Sequence, residues 1–114
     1  MSELNLFPIA NLLLPEVLVA YFDLTNHTLS EDELHFYFQE SNILPQEYKQ
    51  GEVTSKGFHK EVTIQDFPLR GRQVYLHVKR RRWQDNNTGS VVSRNWNLVA
   101  KGTRMTKEFA DFLK

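Results

Sequence analysis

Between residues 72 and 83 runs the chain's clearest strand pattern, in which aliphatic residues alternate with aromatic and polar ones from Gln73 to Lys79. Val74, Leu76 and Val78 take every second position, with Tyr75, His77, Lys79, Arg81 and Trp83 between and beyond them. A period of two puts the first set on one face of an extended strand and the second set on the other. Such a strand needs a layer over its aliphatic face and neighbours along its edges, so it commits the chain to a sheet. Residues 34–38 repeat the pattern, with Leu34, Phe36 and Phe38 on one face. A third strand is expected over residues 58–66, where Val62 and Ile64 share a face, and a fourth over 91–99, with Val92, Trp96 and Leu98 together. Asp85-Asn86-Asn87-Thr88-Gly89 reads as a hairpin loop, because Asn, Asp and Gly tolerate the positive φ that tight loops need.

The ends read differently. Leu13, Val17, Leu18, Tyr21 and Phe22 recur three and four apart and predict a helix from about Leu14 to residue 24, with Pro15 in its first turn and Thr25-Asn26-His27 ending it. Ser30-Glu31-Asp32-Glu33 is an acidic turn. Residues 41–57, with Pro45, Gly51 and Gly57, read as an irregular connection. Thr106 is an acceptable N-cap for a short helix over residues 104–114. The expected class is therefore α+β: an N-terminal helix packed on a small, roughly four-stranded antiparallel sheet, followed by a short C-terminal helix. One domain spans 1–114, with helix and acidic turn in 1–33, sheet in 34–99 and the start of a helix from 104.

At 114 residues the chain is long enough to bury a core without staples. It has no cysteine, which excludes a disulfide framework, a thiolate zinc ribbon and a cysteine nucleophile. No apolar run approaches a membrane span and no basic leader precedes one, so a soluble, cytoplasmic protein with no membrane partner is expected.

The formal net charge of zero conceals a division. Residues 1–66 carry 11 acidic and 3 basic side chains, whereas residues 67–114 carry 3 acidic and 11 basic ones. That asymmetry suits local contact with a polyanion, or neutralisation of one half by the other. The sharpest cluster is Lys79-Arg80-Arg81-Arg82-Trp83. Arg94 falls on the facing strand, Arg70 and Arg72 at the opposite turn, and Lys101, Arg104 and Lys107 before the last helix. Cations interleaved with Tyr75, His77 and Trp83 can pair with phosphates while rings pack on sugars or bases.

Nothing comparable points to catalysis or a cofactor. His27, His35, His59 and His77 lack ligand spacing, and Asp66, Asp85, Glu108 and Asp111 are scattered, so no acid–base pair or two-metal cluster can be argued. No nucleophile elbow, P-loop or dinucleotide fingerprint is present. A binding module, not an enzyme, is expected, with no metal and no cofactor.

The segments Ser55-Lys56-Gly57-Phe58, Glu61-Val62-Thr63-Ile64-Gln65-Asp66-Phe67-Pro68-Leu69-Arg70-Gly71, Val74-Tyr75-Leu76-His77-Val78-Lys79-Arg80-Arg81-Arg82-Trp83 and Val92-Ser93-Arg94-Asn95-Trp96, continuing to Thr106, together resemble the amino-terminal region of bacterial insertion-sequence transposases. Leu13-Leu14-Pro15-Glu16 and Pro45-Gln46-Glu47-Tyr48 extend the likeness over nearly the whole chain. Gln84 and Asn87 stand where larger relatives carry ribbon cysteines, so no thiolate zinc site is available. The family's catalytic carboxylates would lie beyond residue 114.

The resemblance implies a non-catalytic domain that recognises double-stranded DNA at the ends of its element. Arg70, Arg72, Lys79, Arg80, Arg81, Arg82, Arg94, Lys101, Arg104 and Lys107 would contact phosphates, while Arg81, Asn86, Asn87 or Asn95 would read bases. The catalytic part of the transposase and a second copy of the chain are the implied protein partners. The alternative is a protein-interaction module for dimerisation or docking of the catalytic subunit, using Leu34–Phe38 as an edge strand.

Overall fold

The computed structural model describes residues 16–96. They form one short helix, α1 (Glu16–Tyr21), and seven strands: β1 (Phe22–Leu29), β2 (Glu33–Glu40), β3 (Val53–Phe58), β4 (Val62–Leu69), β5 (Arg72–Lys79), β6 (Arg81–Asp85) and β7 (Val91–Val92). The described chain is thus mainly β, which corrects the expected α+β class. The expected C-terminal helix and residues 97–99 of the expected fourth strand lie outside the described residues.

The helix stops early because its continuation has a better partner. From Phe22 onward the chain pairs antiparallel with β2, Phe22 opposite Glu40 and Leu29 opposite Leu34. Thr25-Asn26-His27, expected to end a helix, instead lies within β1, where the register shifts between Leu24 and Asn26. Thr25 and Thr28 are β-branched and fit a pleated surface better than a helix. A helix of six residues is too short to hold on propensity alone. Leu18 anchors it in the core.

The single antiparallel sheet becomes two sheets. The larger has the order β1-β2-β5-β4, and the smaller has the order β3-β6-β7. Hairpins β1–β2 and β4–β5 lie side by side, joined through the parallel pair β2 and β5. Parallel neighbours require a long crossover, and residues 41–71 provide it. The strand expected over 58–66 is divided: β3 ends at Phe58 in one sheet and β4 begins at Val62 in the other. Residues 53–57, expected to be irregular, belong to β3.

The long basic strand is also broken, at Arg80, where the chain passes from the larger sheet to the smaller. The break resets the alternation. Leu76 and Val78 are buried, as their period requires, but Trp83, expected on the opposite face, is also fully buried. Its indole Nε1–H donates to Asn42 Oδ1 at 3.1 Å. The main core gathers Leu18, Phe22, Leu34, Phe36, Phe38, Ile64, Val74, Leu76, Val78 and Trp96 on one face of the larger sheet. Trp96 stacks on Phe22 at 5.4 Å and meets Tyr21 edge-on at 5.8 Å.

Candidate nucleic-acid interface

The basic side chains do not form one strip. Arg70 and Gly71 make the β4–β5 turn, both with positive φ, 50° and 83°. Arg72 follows, and its Nε–H donates to the Ser30 carbonyl at 2.9 Å, while the Gln73 N–H donates to the Asp32 carbonyl at 2.9 Å. These bonds dock the start of β5 beside Ser30-Glu31-Asp32-Glu33, so Arg72 meets the acidic half of its own chain. Lys79 lies seven residues along β5 from Arg72, about 23 Å away.

Two arginines are committed to contacts within the fold. Arg94 is buried; its Nε–H donates to Glu40 Oε2 at 2.8 Å and its terminal nitrogen to the Ile43 carbonyl. The guanidinium lies over the rings of Tyr21, Trp83 and Trp96 at 4.8, 5.5 and 5.8 Å. Arg81 donates its backbone N–H to Glu40 Oε1 at 3.0 Å, its Nε–H to the Glu40 carbonyl at 3.1 Å and a terminal N–H to Ser55 Oγ at 2.6 Å. Glu40 thus ties β2 to β6 and to the segment after β7. Burial pushes its carboxyl above the ordinary value, and the Arg94 and Arg81 hydrogen bonds and charges draw it back only in part.

The remaining cations meet at the junction between the sheets. Ser55 pairs with Trp83 and Phe58 with Arg81, so Lys56 and Gly57 together stand opposite Arg82. This is a β-bulge, and Gly57 absorbs it at φ 84°. The His59 N–H donates to the Arg80 carbonyl at 2.8 Å, and His59 Nε2 lies 2.6 Å from Ser93 Oγ. Partial burial, with the Arg80 and Arg82 charges beside it, holds the His59 imidazole below its ordinary value. Lys56, Lys60, Lys79, Arg80, Arg82, His59 and Ser93 therefore share one region, although 37 residues separate Lys56 from Ser93. Among the described residues, Lys56, Lys60, Lys79 and Arg82 form no ion pair with a carboxylate.

Lys56, His59, Lys60 and Ser93 were not singled out from the sequence. Only Gly57 hinted at them, as the residue type a bulge requires. Lys101, Arg104 and Lys107 lie outside the described residues.

The hairpin tip is partly occupied. Asn86 donates to the Gly51 carbonyl at 2.9 Å and accepts from Thr54 Oγ1 at 3.1 Å, so it holds β6 to the β3 end. Asp85 Oδ1 accepts from the Asn87 N–H at 2.8 Å, which leaves the Asn87 and Thr88 side chains exposed at the apex. Of the four residues expected to read bases, Arg81 and Asn86 have structural tasks, Asn95 is exposed but has a contact within the chain, and Asn87 is exposed at the apex. Among the described residues no three His, Asp or Glu side chains are grouped to hold a metal ion. No protein-family model, curated protein or solved structure matches this chain.

Proposed function

We propose that this chain is a non-catalytic DNA-binding and positioning domain of an insertion-sequence transposase, holding the terminal duplex of its element at the basic junction. The transposase assignment rests on the sequence resemblance. The contact surface rests on one observation: Arg82 stands opposite Lys56 across the bulge, beside Lys60, Lys79 and Arg80, and four of these cations have no carboxylate partner among the described residues. Cations left unpaired at a surface favour phosphate and make binding salt-dependent. Asn87, at the apex of a two-stranded ribbon that a major groove can admit, supplies a base-reading group.

The test is a fluorescence-anisotropy titration with a duplex from the element's own end against a scrambled duplex, at two salt concentrations. Lys56→Ala/Lys60→Ala/Arg82→Ala avoids Arg81, whose side chain holds the Glu40 carbonyl and Ser55. It should keep the wild-type circular dichroism, bind both duplexes more weakly and lower the log–log salt slope by about 0.9 per residue replaced. A folded triple variant that binds like wild type sinks the assignment of the junction. Equal affinity of the wild type for both duplexes sinks end recognition.

The interaction-module alternative loses the edge from which it was argued. β2, which contains Leu34–Phe38, lies between β1 and β5 and has hydrogen-bonded neighbours on both sides.

A further inference from the structure

The face of the larger sheet away from the core carries an arrangement that DNA contact does not use. His35 lies opposite Tyr75, and Tyr37 opposite His77, in the parallel β2–β5 register. The four rings form a column in the order Tyr75, His35, His77, Tyr37, with centroids 4.9, 5.0 and 4.5 Å apart and planes within 18° of parallel. A continuous hydrogen-bond chain runs through it. Glu33 Oε1 lies 3.0 Å from His35 Nε2, His35 Nδ1 lies 2.7 Å from His77 Nε2, and His77 Nδ1 lies 3.0 Å from Thr63 Oγ1 and 3.6 Å from Glu61 Oε2.

The proton positions follow from which groups can donate. The Glu33 carboxylate only accepts, so His35 carries hydrogen on Nε2. Its Nδ1 is then bare and accepts from His77 Nε2–H, and His77 Nδ1 accepts from the Thr63 hydroxyl. One added proton fits without breaking this chain. It enters at His77 Nδ1, the Thr63 hydroxyl turns to accept, and the Glu61 carboxylate faces the new charge. A second proton has only His35 Nδ1 left. There it would point at the His77 N–H from 2.7 Å, with two cationic rings edge to edge and their centroids 5.0 Å apart.

The neighbouring elements do not relieve that conflict. β1 presents Asn26 and Thr28 next to Tyr37 and His35, with Asp23 further along opposite Gln39. β4 presents Thr63 and Gln65, preceded by Glu61, and β5 adds Lys79, a further positive charge two residues beyond His77.

We propose that the His35–His77 pair is an acid-labile latch on the β2–β5 seam, which holds the two hairpins together while the pair carries at most one extra proton and loosens them when it takes the second. Among the described residues the seam is the one parallel pairing, and it closes a long crossover rather than a tight turn, so it is the joint most dependent on cross-strand contacts. This inference stands independently of DNA binding.

The test uses the full 114-residue chain. Long-range proton–nitrogen correlation of the imidazoles from about pH 8 to pH 5 spans the range in which histidines titrate. Both rings should be Nε2–H tautomers at the alkaline end. Amide protection in β2 and β5 should fall as the second proton binds, by about tenfold for each pH unit between that step and the unfolded histidine value. His77→Gln, which retains a donor and an acceptor, should remove the pair's share of the pH dependence of urea unfolding. His59→Gln should then remove the other histidine contribution and leave the opposite-signed Glu40 term. Independent titration of the two rings with unchanged seam protection would overturn the latch, and so would a folded His77→Gln protein with the wild-type pH slope. The wild-type titration decides the matter if that variant does not fold.

Discussion

Arg94 shows how one side chain can change role between sequence and fold. In the chain it is another cation of the basic half; in the fold it is buried beneath three aromatic rings, with Glu40 as counter-ion. Removing one member of a buried pair leaves a desolvated charge, so Arg94→Met should cost about 3–5 kcal/mol in urea unfolding. Adding Glu40→Met should recover part of that loss, because an apolar pair replaces the ion pair while the Arg81 N–H loses its acceptor. A cost below about 1 kcal/mol for the single variant would mean that the pair is effectively solvated. Arg70 presents the opposite case. It holds φ 50° in a turn that favours Asn or Gly at that position. Arg70→Gly should leave stability unchanged or raise it by up to about 1 kcal/mol, as relief of left-handed strain outweighs lost chain stiffness. A clear fall in melting temperature would show that the Arg70 side chain contributes more than its backbone costs.

Among the elements, β3 matters most to the candidate interface, because its bulge sets Lys56 and Gly57 against Arg82. A Cβ at Gly57 would meet nothing within 4 Å, so the obstacle to substitution is φ and not space. Gly57→Ala should therefore cost about 1 kcal/mol, roughly 3–5 °C in melting temperature for a chain of this size. If calorimetry shows no shift, the bulge is not held in the left-handed region. β2 was read correctly for its faces: Leu34, Phe36 and Phe38 are buried and their neighbours are not. Its position in the sheet was not legible, because strand order depends on which segments the crossover brings together.

The molecule as a whole should lose stability on mild acidification. Burial lowers His77, the Glu61 charge opposes that shift and His35 adds to it; His59 is lowered by burial and its arginines. A base whose folded value lies below its unfolded value of 6.5 binds fewer protons when native. Its contribution is complete above pH 6.5 and is lost as pH falls toward the folded value. Glu40 has the opposite sign: with a folded value above 4.5, its term favours the fold at low pH and fades as pH rises through that value. Urea midpoints should therefore be highest above pH 6.5 and decline below it, with Glu40 slowing the decline at the acid end. A midpoint that rises steadily from pH 7 to pH 5 would contradict the histidine assignments.

Local alternation was enough to identify β5, the buried faces of β2 and β5, and the hairpin at Asp85–Gly89, because a period of two and a loop's need for positive φ are properties of neighbouring residues. The same periodicity could not show that Arg80 breaks the basic strand, that Phe22 leaves its helix for β2, or that two strands pair in parallel. Each depends on competition among distant segments for backbone hydrogen bonds and apolar cover. The candidate site divides in the same way. Its cations were visible as charges in the chain. Which of them reach solvent was set by packing, because burial gave Arg94 the Glu40 carboxylate, the Glu40 carbonyl and Ser55 took up the Arg81 guanidinium, and Arg82, Lys56 and Lys60 were left at the junction without an ion-pair partner among the described residues.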